Sequence, residues 1–287
     1  MKLSTPVHCP PLPVHVGLED RVMVMGSCFA DRIGARLSAA GFEVCVNPFG
    51  TLYNPASVAQ ALERLSNPRP FTEADCVEMG AGAALVCSWS HHTGFARPDT
   101  AAFLENANRS LADAAAFWQR CNKVIITLGT AFVWRLKDSG AIVSNCLKRP
   151  AAEFTHERLD EEEVLACLQR ICPPDSGRSY IFTVSPIRHL GDGAHANQLS
   201  KATLLLALDR FLAERSDAAY FPAYEILLDE LRDYRFYAED LLHPSETAVS
   251  WIWEAFLQAA VPESDLGRIA ENEKAARRSA HRPIHSL

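Results

Sequence analysis

Apolar positions along the chain follow two alternating rhythms. Short, nearly continuous apolar runs occur at 21–25 (RVMVM), 42–47 (FEVCVN), 123–129 (KVIITLG), 179–186 (SYIFTVSP) and within 218–228 (AAYFPAYEILL). Their length and unbroken apolarity predict strands buried on both faces. Longer segments with helical periodicity lie between them. In 27–41, Phe29, Ile33 and Leu37 recur every four residues and Gly41 follows as a C-cap. Helices are also predicted over 56–65, with Asn54 or Ser57 as cap and Pro55 in the first turn, and over 100–120, 160–171, 200–214 and 247–260. Strands alternating with helices predict an α/β domain with a mainly parallel sheet. Two stretches, near 67–99 and 131–160, break the rhythm. The first holds a strand at 84–89 and the second a hairpin-like excursion turning at Asp138-Ser139-Gly140. Both read as insertions that build the rim of a pocket. One domain is expected over 1–266, followed from Gly267 by a polar, locally basic tail, either a frayed helix or disordered.

Composition narrows the class of function. The chain has 287 residues, 48% of them hydrophobic, which is enough for one large core. A net charge of -7 gives no whole-protein attraction to nucleic acid or to an anionic membrane. The first twenty residues hold prolines and no uninterrupted apolar core, so no signal peptide is expected, and no stretch has the length of a transmembrane helix. The nine cysteines are odd in number, mostly within apolar runs and without a Cys-x-x-Cys pair. They suit free thiols in a reducing, cytoplasmic setting rather than a zinc site, and no metal or organic cofactor is expected.

Candidate chemistry concentrates at two distant places. Gly26-Ser27 sits where the first buried strand becomes a helix, the end of a parallel sheet at which ligands bind. A serine there is equally a good helix N-cap. Near the other end, Asp240 and His243 stand three apart in EDLLHPSE, just before the last helix. A Ser/His/Asp system needs a His that reaches the hydroxyl and a carboxylate that fixes the other ring nitrogen. The same pair also suits a surface loop that caps the final helix.

Taken together, these residues resemble SGNH/GDSL hydrolases, which carry a serine in a Gly-x-Ser or Gly-Ser turn after strand one and Asp-x-x-His-Pro before the last helix. More narrowly, VMVMGSCFADRIGARL resembles the GSCFA family, named for the residues at 26–30. NPFGTLYNP (47–55), ITLGTAFVW (126–134), TVSPIRH (183–189), NQLSKATL (197–204) and YFPAYEILLDELRDYRFYAEDLLHPS (220–245) are similar to the same family, so the likeness runs in order over 20–260. It implies a three-layer α/β/α, flavodoxin-like fold. It also implies a triad of Ser27, Asp240 and His243, with the backbone N–H groups of Ser27 and Gly50 in the oxyanion hole. The Gly-x-Asn usual after the central strand is Gly129-Thr130-Ala131 here, so a side-chain donor is missing. Thr130 and Asn145 are the first candidates to replace it, ahead of Asn47, Asn54 and the His91-His92 pair. Leu147 departs from an Asn-Cys-His-Lys of relatives.

The implied reaction is transfer of an acyl group from a small-molecule ester, by an esterase or by an O-acyltransferase using the same triad. A binding protein on a degenerate fold is the non-enzymatic alternative. Cys28 is the rival nucleophile, at a helix N-terminus that lowers a thiol pKa. Successive helical residues turn about 100° apart, so Ser27 and Cys28 cannot both face His243. The motif position favours Ser27. His91 and His92, Arg188 and His189, and Asn145 are candidate substrate contacts, each with a plainer alternative as a solvated or ion-paired group.

Overall fold

The computed structural model describes residues 4–280. The chain opens with β1 (Arg21–Gly26), α1 (Cys28–Ala40), β2 (Glu43–Val46) and α2 (Pro55–Ser66). A small antiparallel pair, β3 (Val77–Glu78) and β4 (Val86–Cys87), precedes α3 (Thr100–Arg120) and β5 (Lys123–Leu128). Next come β6 (Phe132–Leu136), β7 (Ile142–Val143) and β8 (Phe154–Arg158), then α4 (Glu161–Ile171) and β9 (Ser179–Val184). The chain closes with α5 (Gly193–Leu212), β10 (Ala218–Tyr220), α6 (Ala223–Glu225) running into a π-helical turn at Ile226–Leu231, α7 (Glu246–Ala260) and α8 (Glu263–Ala280).

Five strands form a wholly parallel sheet in the order β10-β9-β5-β1-β2. Numbered among themselves from the other edge, they run 2-1-3-4-5, the doubly wound order whose direction reverses between β1 and β5. Strand side chains alternate between two cores. Met23, Met25, Val124, Ile126, Tyr180 and Phe182 face α2, α3, α4 and α5. Val22, Val24, Ile125 and Ile181 face α1, α7 and α8. The expected three-layer α/β/α arrangement is the one observed. Each fully buried Met, Val, Ile or Phe contributes about 1.5–3 kcal/mol from leaving water.

The irregular insertions take definite form. Residues 132–158 make an antiparallel sheet of order β7-β6-β8, with Gly140 at φ +70° in the turn between β6 and β7. The strand expected over 84–89 shortens to β4. Helix α5 begins at Gly193, seven residues before the expected start at 200, because its first two turns bury polar Asn197, Ser200 and Lys201 rather than apolar groups.

Of the two forms expected for the polar tail the helix is observed, packed rather than frayed. Helix α8 continues through Gly267 to Ala280 and docks on the core: Ile269 is buried, Asn272 donates to the Ala40 carbonyl capping region of α1, and Glu273 accepts from the Trp253 indole. Residues 281–287 of that tail lie outside the described residues. No described helix is long and apolar enough to cross a membrane.

Candidate active site

The β1–α1 turn is shaped by Gly26. Its φ of +136° suits only glycine, and a Cβ there would stand 2.1 Å from the Thr127 carbonyl oxygen. Asn47 Oδ1 accepts the Gly26 N–H at 2.9 Å and ties the turn to the end of β2. Ser27 follows as the N-cap of α1. Its hydroxyl accepts the Phe29 N–H at 3.3 Å and donates to Ser185 Oγ at 2.9 Å, with Thr127 Oγ1 at 3.4 Å. Those partners lie at the ends of β5 and β9, so the Ser27 side chain points down into the sheet and is wholly buried.

Cys28, the first residue of α1, is turned the other way, into a cavity of about 650 Å³. Its Sγ lies 3.3 Å from His243 Nε2. The opposite ring nitrogen, Nδ1, meets Asp240 Oδ2 at 2.5 Å. With Nδ1–H donating to the carboxylate, Nε2 presents a lone pair to the thiol. The expected contact between Ser27 and His243 is therefore corrected: His243 meets Cys28. The rule that both residues cannot face one histidine holds with the roles exchanged. The capping geometry that suits a serine at position 27 sends its hydroxyl away from the cavity. A sequence signal pointed the same way, since the Gly-x-Ser form of the turn, counted from Gly26, places the exposed side chain at residue 28.

The loop bearing Asp240 and His243 is tightly tied. Asp240 Oδ1 accepts the N–H groups of Leu242 and His243 at 2.9 and 3.0 Å, an Asx-type turn with Leu241 at φ +57°. The Ala238 N–H donates to the His243 carbonyl at 2.7 Å, and Arg188 donates from its backbone N–H to the Leu242 carbonyl at 3.1 Å. The backbone N–H groups of His243 and Leu242, and then the imidazole, hold the Asp240 carboxyl down at about 2. Burial, by contrast, pushes the Cys28 thiol up, against lowering by its own backbone N–H. The expected lowering by the helix terminus alone is outweighed, because desolvation penalises the thiolate more. Burial therefore favours the protonated thiol at Cys28, 3.3 Å from the His243 ring.

The remaining expected residues divide. Thr130, Asn145, Arg188 and His189 all line the cavity. His91 does not: it is buried among Phe49, Phe71, Phe95 and Phe103, and its Nδ1 pairs with Ser88 Oγ at 2.7 Å. Desolvation pushes it down to about 3, the signature of a core histidine. His92 caps a short 3-10 turn through the Gly94 N–H and packs against Gly50.

The expected oxyanion donors are spent elsewhere. The Ser27 N–H goes to the Thr127 carbonyl, that of Gly50 to Asn47 and that of Thr130 to Tyr53, while the Thr130 hydroxyl pairs with Ser200 Oγ at 2.9 Å. Ala131, where an asparagine was missed, is fully buried and gives its N–H to Ser200 Oγ. Donors not engaged in this way also line the cavity, two of them at Cys28 and Asn54. The N–H of Cys28 opens α1, so no carbonyl one turn earlier takes it, and it faces its own Sγ. Asn54 lines the cavity while its Oδ1 caps α2 at the Ser57 N–H, and its Nδ2 has no partner among the described residues.

The rest of the cavity is aromatic and polar. Phe132 and Trp134 on β6 stack with His156 on β8, at ring separations of 5.0 and 4.1 Å, and His156 pairs with Asp192. A separate cavity of about 660 Å³, lined by Arg64, Arg170 and Arg178, shares only Ser144 with this one and holds none of the three side chains.

Beneath the floor, the segment at 197–201 straps the sheet ends together. Asn197 Oδ1 accepts the His189 N–H, Ser200 holds Thr130 and Ala131, and Lys201 Nζ donates to the carbonyls of Gly129 at 2.6 Å and Ser185 at 2.7 Å. The His189 ring packs edge-on against Tyr53, and burial, then the charges of Lys201 and His243, push it down to about 3. Sequence reasoning passed over Lys201 and Ser200, although NQLSK lay within a motif block, and ranked Asn54 behind Thr130 and Asn145 as a donor.

Neither the search of curated proteins nor that of solved structures returned a match for this chain. A family model, described as the GSCFA family, matches residues 21–256, which spans every strand of the parallel sheet, Cys28, Asp240 and His243. The chain belongs to the GSCFA family.

Proposed function

We propose that the protein is a cysteine-dependent acyl-transfer enzyme that hydrolyses small acyl esters, with Cys28 as nucleophile, His243 as general base and Asp240 as its orienting carboxylate. The observation that carries this reading is the continuous relay from Cys28 Sγ through His243 to Asp240, 3.3 and 2.5 Å, opening on a cavity at the carboxyl ends of β1 and β5. The sheet order and the chain order of the three side chains also support placing the family among SGNH/GDSL-type hydrolases, with sulfur replacing the serine oxygen.

In the proposed reaction, His243 Nε2 takes the thiol proton as Sγ attacks the acyl carbon. A C–S bond forms and the carbonyl π electrons move to oxygen. The Cys28 N–H and Asn54 Nδ2 receive that oxyanion. Collapse breaks the C–O bond to the leaving alkoxide, which takes the proton from His243. The thioester then yields to water, deprotonated by the same imidazole, and the thiol is restored. An alcohol in place of water gives acyl transfer to that alcohol.

Hydrolysis of p-nitrophenyl acetate, with and without an added sugar alcohol, tests the reading. Cys28→Ala should abolish turnover and site-specific iodoacetamide labelling, and Ser27→Ala should retain most of both. Turnover that survives Cys28→Ala, or vanishes in a folded Ser27→Ala protein, would overturn it. Formation of the acetylated sugar identifies the transferase form of the same chemistry.

A further inference from the structure

Two cavities meet at Arg188. Arg188 and Leu190 form part of the wall of the cavity that holds Cys28 and His243. The same two residues line a second cavity of about 540 Å³, whose other walls carry Tyr224, Tyr234 and Tyr237. The reaction above gives the shared wall and the tyrosine-lined space beyond it no role.

Arg188 is fixed in that wall. Its backbone N–H donates to the Leu242 carbonyl at 3.1 Å and its Nη1 to the Leu241 carbonyl at 3.2 Å. Its guanidinium carbon lies 5.6 Å from the centre of the Tyr237 ring. These anchors spend one terminal nitrogen. Nε and Nη2 form the side-on edge of the fork, make no hydrogen bond among the described residues, and are not sealed from solvent. Two parallel N–H groups on such an edge match the two oxygens of a carboxylate or a phosphate.

No protein carboxylate claims that edge. Those lining either cavity are Asp192, Asp229 and Asp233. Asp192 pairs with His156 at 3.0 Å, Asp229 with Arg232 at 3.4 Å and Asp233 with Arg235 at 3.6 Å. Among the described residues none lies within ion-pair distance of Arg188. An unpaired arginine is ordinary on an open surface. Arg188 is instead half-buried and held in one pose between two cavities, whereas Arg232 beside it is 77% exposed.

The anchors also indicate which half of an ester reaches the guanidinium. In the proposed reaction the leaving alkoxide takes its proton from His243, so the alcohol half lies on the His243 side of the sulfur. Leu241 and Leu242, which hold Arg188, are the two residues before His243. The carbonyl oxygen faces other groups, the Cys28 N–H and Asn54.

We propose that Arg188 sets the substrate class: the alcohol half of the ester carries an anionic group, a carboxylate or a phosphate, which the Nε–Nη2 edge binds in the wall between the two cavities. This role rests on the acyl-transfer reading and deepens it. Arg188 binds and orients, and no bond to the anion forms or breaks.

Matched aryl acetates test the role in turnover. 4-Acetoxybenzoate carries a carboxylate on its leaving phenol, and 4-acetoxybenzamide has nearly the same shape without the charge. The ratio of their kcat/KM values is compared between the unaltered protein and Arg188→Met. The different reactivities of the two phenols cancel in that comparison, as does any general loss from loosening the His243 loop. The anionic-to-neutral ratio should fall about tenfold or more, the loss of one charge-assisted pair. A ratio that the substitution leaves unmoved overturns the role.

Binding of the free phenols needs neither turnover nor an Arg188 variant. In NMR titrations of Cys28→Ala, 4-hydroxybenzoate or 4-hydroxyphenyl phosphate should bind about tenfold or more tightly than 4-hydroxybenzamide, and the stronger of the two anions identifies the group preferred. Equal binding of all three overturns the role, and this comparison decides alone if Arg188→Met does not fold. The two readings fail separately: a protein that hydrolyses neither acetate sinks the acyl-transfer assignment, while the titration still decides whether Arg188 holds an anion.

Discussion

Asn54 divides its amide between structure and proposed chemistry, the oxygen capping α2 and the nitrogen open to the cavity. Replacing it with serine keeps a competent N-cap but removes the side-chain N–H donor. Asn54→Ser should therefore lower kcat on an activated ester by about 10²–10³, the usual loss for one oxyanion donor, while the melting temperature changes little. An unaltered kcat would remove Asn54 from the site. The same division of labour explains what could be read at residue scale. Asp240 and His243 were legible because a carboxylate and an imidazole three apart before a helix fit one compact turn. Ser27 misled because a capping serine and a nucleophilic serine leave the same trace, Gly-Ser at a strand–helix junction. Only the backbone angles at the cap, φ −66° and ψ 174°, together with the Ser185 hydroxyl waiting below, decide where that side chain goes. Ser185 is 158 residues away, and no local pattern announces it.

At the scale of elements, legibility follows the hydrophobic pattern. The five parallel strands and α1, α2, α3, α4 and α7 were readable because each presents apolar residues at one period over its whole length. The start of α5 was not, because its first turns bury Asn197, Ser200 and Lys201 for the sake of the site above. The docking of helix α8 was not readable either, since a mostly polar sequence packs through buried Ile269 and through hydrogen bonds of Asp265, Asn272 and Glu273. That docking has a measurable consequence. Ile269→Ala should cost about 2–5 kcal/mol in urea unfolding, as for other buried Ile truncations. The same substitution in a loose tail would cost nothing, so a change within a few tenths of a kcal/mol would show that α8 does not pack. Because α8 lies against α1, whose first residue is Cys28, the variant also asks whether the far end of that helix is needed to hold the thiol against His243.

For the molecule as a whole, the doubly wound sheet gathers residues from positions 28, 54, 130, 189 and 243 at one edge by closing the core on both faces, and the groups sealed there make stability depend on pH. Two buried histidines, His91 and His189, are each pushed down to about 3, mainly by desolvation. In the unfolded chain a histidine takes up its proton near pH 6.5. Between those limits the unfolded state binds more protons than the folded one, so the contribution of these two histidines is complete above about pH 6.5 and is lost progressively as the pH falls toward 3. Each histidine contributes a slope of up to about 1.4 kcal/mol per pH unit in that window. Burial lowers His92 as well, which adds in the same direction. Asp240, held at about 2, has the usual carboxylate sign: any contribution it makes is present above about 3.8 and fades only as the pH falls through about 2, below the histidine window. Urea midpoints measured at pH 7, 6 and 5 should therefore decline steadily with acid. His91→Phe, which places another ring among Phe49, Phe71, Phe95 and Phe103, should remove about one histidine's share of the slope, whatever the lost Ser88 hydrogen bond does to absolute stability. Identical slopes in the two proteins would mean that His91 accepts its proton in the folded state, and that the aromatic cluster beside the site opens to water far more readily than its packing implies.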